Sequence, residues 1–142
     1  MSEVAKTKLL SAALDRLIPA IDELPGAGEM GLAGEITSRC KADDRFWNAH
    51  TTVIDQLSAI DGFIDRDGSD QDEAISVVEQ TAPNEFGLWL DVVYTIYYMQ
   101  PSVHQHLDWH GRPPQPEGNV MPPWDESVLN VIKEREPFWR KV

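Results

Sequence analysis

One cysteine, Cys40, is all the thiol the chain has. A single cysteine makes no internal disulfide and no thiolate zinc site. Positive charge is also scarce: 12 Lys and Arg stand against 24 Asp and Glu, a net charge of −12. Phosphate backbones and anionic lipid heads repel such a chain, so nucleic-acid binding and peripheral membrane attachment are not expected. No apolar run approaches the roughly 18 residues of a membrane helix, since the most apolar stretch, 86–99, carries Asp91. Direct membrane insertion is therefore not expected. The first residues show no basic region feeding an apolar stretch, so no secretory signal is expected and the default location is the cytoplasm. Nucleophile motifs are missing too. No serine sits in a Gly-x-Ser-x-Gly elbow, and Cys40 falls on the inward face of a helical pattern, where a thiol is a small hydrophobe.

What is present is a globular composition, 42% hydrophobic and 25% charged, over 142 residues. That length suits one domain burying about two-thirds of its surface without metal or disulfide staples. Leu9, Leu10, Ala13, Leu14, Leu17 and Ile18 mark one face of a first helix, capped at Ser2 and stopped at Pro19. Four of the nine glycines lie between Gly26 and Gly34. A second helix is expected from near Gly28 to Cys40, with Met30, Ala33, Ile36 and Cys40 inward. Asp43 or Asp44 caps a third, whose period runs through Phe46, His50, Val53, Ile54, Leu57, Ile60 and Ile64 until Asp67-Gly68 breaks it. His50 on that apolar face reads as a core histidine. Asp70 and Glu73 have capping-box spacing before a short helix through Ala74, Val77 and Val78. The segment 85–99, capped at Asn84, predicts a helix buried nearly all round, with Trp89 and Tyr94 in the core. A short helix follows over 103–107. Five of the ten prolines fall between Pro113 and Pro123, which predicts extended chain, and Asp125 then caps a last helix with Val128, Leu129 and Ile132 inward. The expected fold is all-α: one compact helical domain over 1–142 of about six helices, with a core at 1–108, an extended Pro-rich segment at 109–124, and a C-terminal helix and tail at 125–142.

Three stretches invite chemistry. Asp65-Arg66-Asp67-Gly68 resembles part of an EF-hand loop, but aligning Gly68 at position 6 puts Phe63 and Ala74 where the anchoring carboxylates belong. Gly26-Ala27-Gly28-Glu29-Met30-Gly31 has dinucleotide-binding spacing yet follows a proline turn rather than a strand. His104, His106 and His110 lie within seven residues, with Asp108 among them. On a helix, His106 and His110 share a face at i, i+4, a spacing that can hold zinc or iron. A small metal-dependent enzyme using this cluster is one alternative, and an acidic helical scaffold protein is another.

Aromatic residues gather late in the chain. Trp89, Tyr94, Tyr97 and Tyr98 crowd one helix, and Trp109, Trp124, Phe138 and Trp139 follow along the tail. Tryptophans beside irregular, Pro-rich chain either pin that chain onto the helices or anchor a partner. Tyr97, Tyr98, Trp109, Trp124 and Trp139 are the candidate partner-interface residues.

Leu14-Asp15-Arg16-Leu17-Ile18-Pro19 followed by Leu24-Pro25-Gly26-Ala27-Gly28-Glu29-Met30-Gly31 resembles the opening of the gluconate 2-dehydrogenase subunit 3 family. Leu107-Asp108-Trp109-His110-Gly111-Arg112-Pro113-Pro114-Gln115-Pro116-Glu117-Gly118 is similar to that family's Gly-x-Pro-Pro-x-Pro-x-Gly segment. An aromatic helix, Tyr94-Thr95-Ile96-Tyr97-Tyr98, precedes it in the family's order. The resemblance implies a small helical subunit without catalytic residues or a cofactor of its own. Its implied partner is a large FAD-dependent dehydrogenase of the glucose-methanol-choline type, acting on sugars or polyols, with a cytochrome as a possible electron acceptor. The family's twin-arginine leader has no counterpart here, so a periplasmic place is expected only if a partner carries the chain there.

Overall fold

A computed structural model describes residues 2–109, 123 and 125–134. They belong to two compact units, Met1–Gly111 and Arg112–Val142. Six α-helices make up the first: α1 (Glu3–Leu17), α2 (Ala33–Cys40), α3 (Asp44–Ser58), α4 (Gly68–Thr81), α5 (Pro83–Tyr98) and α6 (Pro101–His106), with a 3-10 turn at Phe63–Asp65. The described part of the second unit holds α7 (Val128–Lys133), preceded by a turn in which the Asp125 carboxylate accepts from the Ser127 backbone N–H. No strand occurs among the described residues; Ile21 and Leu24 form one isolated antiparallel bridge. The fold is all-α. The Pro-rich stretch 111–122, His110, Trp124, Phe138 and Trp139 lie outside the described residues.

In the first unit α3 and α5 form the central pair, and α1, α2 and α4 pack around them. Their shared core holds Leu14, Ile36, Val53, Leu57, Phe63, Trp89 and Val93, each nearly or fully closed to solvent. Ser2 caps α1 by accepting from the Ala5 N–H, and Asp43 caps α3 through the Arg45 N–H.

Boundaries differ from the sequence expectation at four places. The second helix begins at Ala33, not near Gly28, because Gly31 takes a left-handed φ of 75° that no helix continues through. α3 ends at Ser58 and leaves Ile60 and Ile64 outside it; the left-handed Gly62, at φ 63°, reverses the chain well before Asp67-Gly68. Gly68 opens α4 rather than breaking a helix, since the Asp67 carboxylate accepts from the Asp70 N–H, and Val77 faces solvent. α5 carries Pro83 at its first turn with no side-chain cap from Asn84. Its burial is one-sided as well: Trp89 is fully enclosed while Tyr94 and Tyr98 are exposed.

Candidate functional site

The glycine-rich loop has a structural task. Asp15, on α1, points its carboxylate into the loop and accepts from the Gly28 N–H at 2.7 Å and the Glu29 N–H at 3.0 Å. An alanine Cβ at Gly28 would lie 2.0 Å from the Ser11 carbonyl oxygen, and one at Gly26 would lie 2.4 Å from the Asp15 carboxylate. The amides that would cradle a phosphate in a dinucleotide site are thus held by an internal carboxylate. The Leu14–Pro19 and Leu24–Gly31 blocks are two halves of one clasp. Nearby, Arg16 donates to both carboxylate oxygens of Asp72 at 2.8 and 2.7 Å, tying α1 to α4, and each group stabilises the charged form of the other.

The remaining motifs resolve similarly. Phe63 and Ala74, at the two anchoring positions of the EF-hand alignment, are buried apolar residues, and the Asp67 carboxylate is engaged as a helix cap. Cys40 is enclosed, and its burial pushes the thiol up to about 11, away from nucleophilic form.

Among the histidines, helical geometry stops short. α6 ends at His106, and Asp108 follows at a left-handed φ of 52°. The Trp109 N–H bonds back to the His104 carbonyl at 2.8 Å and the Asp108 N–H to that of Gln105 at 3.2 Å, a Schellman ending. α6 thus ends before spanning the i, i+4 spacing of His106 and His110, and His110 itself is outside the described residues. His104 and His106, two residues apart, point from different faces of α6. Among the described residues no three His, Cys, Asp or Glu side chains gather as a metal-holding group.

That same ending folds Trp109 back over His104, ring centroids 4.2 Å apart and edge-on. His104 in turn meets the Tyr98 carbonyl through Nε2. Tyr98 packs on Tyr94 at 6.4 Å and edge-on to Tyr97 at 5.2 Å. Tyr97 is buried and backs this row, whereas Tyr98 and Trp109 remain about half exposed, at 54% and 50%. Met99 and Leu107 are exposed beside them in the chain. The result is one aromatic edge at the α5–α6 junction, held by side-chain contacts.

A second feature was not legible in any motif. α1, α2 and α3 line a solvent-open cavity of about 380 Å³ with His50 in its wall. Thr37 Oγ1 gives its hydrogen to the Ala33 carbonyl at 2.8 Å and stands 3.5 Å from His50 Nε2. His50 Nδ1 is buried, with no hydrogen-bond partner among the described residues. The ring stacks on Trp47 at 5.5 Å, and the Lys41 ammonium lies 5.3 Å from the Trp47 centroid. Burial, with Lys41 and Lys6 adding positive potential, pushes His50 down to about 4.

Because His50 is neutral in the fold and protonates near 6.5 when unfolded, the unfolded chain binds more protons between these values. Stability is fully present above pH 6.5, falls as pH drops through that window and levels off near pH 4. With solvent reaching the cavity, the loss is roughly 1–2 kcal/mol. Urea titrations at pH 7 and pH 4.5 will show it, and the His50→Phe variant will lack that component.

The chain matches no family model, no curated protein and no solved structure. No helix among the described residues is long and apolar enough to cross a membrane.

Proposed function

We propose that this chain is a non-catalytic accessory subunit that binds and stabilises a large FAD-dependent sugar or polyol dehydrogenase. The observation that carries the reading is the α5–α6 edge. It brings the exposed Tyr94 and Tyr98 of the aromatic block together with Trp109, at the start of the Pro-rich block, through His104. Half-exposed aromatics on a rigid support are the side chains that most often dominate binding energy. The Asp15–Gly28 clasp supports the reading from the other end of the chain, since it gives the opening blocks a shared structural purpose without a ligand. The flavin and the reacting groups belong to the large subunit, and a cytochrome is a candidate electron acceptor.

Double replacement of Tyr98 and Trp109 by alanine tests the interface. Both side chains are exposed, so helix content and unfolding midpoint should stay at the parent values. Affinity for the flavoprotein should fall by about 2 kcal/mol or more, some thirtyfold, in a titration with the purified partner. Unchanged affinity would remove this edge from the interface.

A further inference from the structure

The cavity between α1, α2 and α3 carries charge of both signs on an apolar base. Lys6 and Lys41 supply two ammonium groups, and Glu3 and Asp55 two carboxylates. None of the four side chains makes an ion pair or a side-chain hydrogen bond among the described residues, where the ion pairs are Arg16–Asp72 and Arg45–Asp43. Leu10 and Ile54, both buried, form the apolar part of the lining. The threonine hydroxyls offer acceptors rather than donors, because Thr7, Thr37 and Thr51 each give their hydrogen to a carbonyl of their own helix. The volume, about 380 Å³, lies at the small end of ligand sites.

From this lining we infer that the cavity binds a free α-amino acid with an aliphatic side chain, as the zwitterion. The two ammonium groups match its carboxylate. The two carboxylates and the threonine oxygens match its ammonium. Leu10 and Ile54 match its side chain. A polyanion would meet Glu3 and Asp55, and a simple cation would meet Lys6 and Lys41, so a ligand carrying both charges suits the lining better than either. The inference is independent of the accessory-subunit reading, since the cavity residues are distinct from the α5–α6 edge.

L-leucine is the probe. In the full chain labelled with nitrogen-15, leucine should shift the His50 ring and Trp47 indole signals saturably, with Kd of about 1–10 mM. 4-Methylpentanoate, which lacks the ammonium, and 3-methylbutylamine, which lacks the carboxylate, should each bind about tenfold more weakly or worse. Lys6→Met and Lys41→Met keep the aliphatic stems and should each weaken leucine about fivefold. The proposal is overturned if leucine gives no saturable shift at about 50 mM, a concentration at which even very weak sites fill. Binding of either single-charge analogue as tightly as leucine, in the unmodified protein, would overturn it as well.

Discussion

Gly28→Ala is expected to destabilise the first unit by about 3–5 kcal/mol. The added Cβ would stand 2.0 Å from the Ser11 carbonyl oxygen and 2.5 Å from the Asp15 carboxylate. The first obstacle is helix backbone, which cannot rotate away as a side-chain end can. Relief requires the loop to lift from α1, and lifting it breaks the Gly28 and Glu29 hydrogen bonds to Asp15. Overpacking costs about 1–3 kcal/mol, and hydrogen bonds to a charged group about 1.5–3 kcal/mol, so the two together set the scale. Gly34→Ala is the internal control. Nothing lies within 4 Å of its Cβ position and it sits inside α2, so alanine there should be neutral or stabilising by up to about 1 kcal/mol. Urea unfolding followed by circular dichroism compares the two directly.

Trp89→Ala is the second large effect, about 3–5 kcal/mol. Trp89 is the largest fully buried side chain among the described residues, on the face of α5 turned to the core, and its ring meets Phe86 at 5.7 Å. Truncation leaves a cavity in the centre of the helix pack, where the surrounding helices can relax only in part. Trp89→Phe should cost much less, about 1–2 kcal/mol, for two reasons. It keeps an aromatic ring in place, and it removes an indole N–H that has no hydrogen-bond partner in the core. Tyr98→Ala, nine residues along the same helix but exposed, should stay within about 0.5 kcal/mol of the parent in unfolding. This contrast separates the half of α5 that holds the fold from the half assigned to a partner.

Local chemistry was readable where it stays local. Ser2 announces the start of α1 and the pair Asp43–Asp44 that of α3, of which Asp43 is the cap, and the three-four spacing of Val53, Ile54 and Leu57 announces the inner face of α3. The end of α3 was hidden because Ile60 and Ile64 prolong the apolar period past the left-handed Gly62. The cap of α4 was misplaced by three residues because Asp67 and Asp70 have the same chemistry, and only backbone geometry shows which accepts the N–H. The sequence places Tyr94 in the core where the structure exposes it, since an apolar helix gives no sign of which aromatic face its neighbours leave open. The Asp15–Gly28 clasp joins residues 13 apart through backbone amides, for which side-chain patterns carry no signal. His50 was recognised as a core position, yet the cavity around it draws Lys6, Thr37 and Trp47 from three helices. Those residues read as ordinary polar or half-buried positions until the helices are packed.

Affinity capture of the full chain from its native cells, with a visible spectrum of the eluate, tests the accessory-subunit claim most directly. The account predicts a yellow complex with flavin absorption and a large second chain, dehydrogenase activity that follows the complex, and neither flavin nor activity in the small chain alone. A colourless eluate holding only the small chain would contradict it.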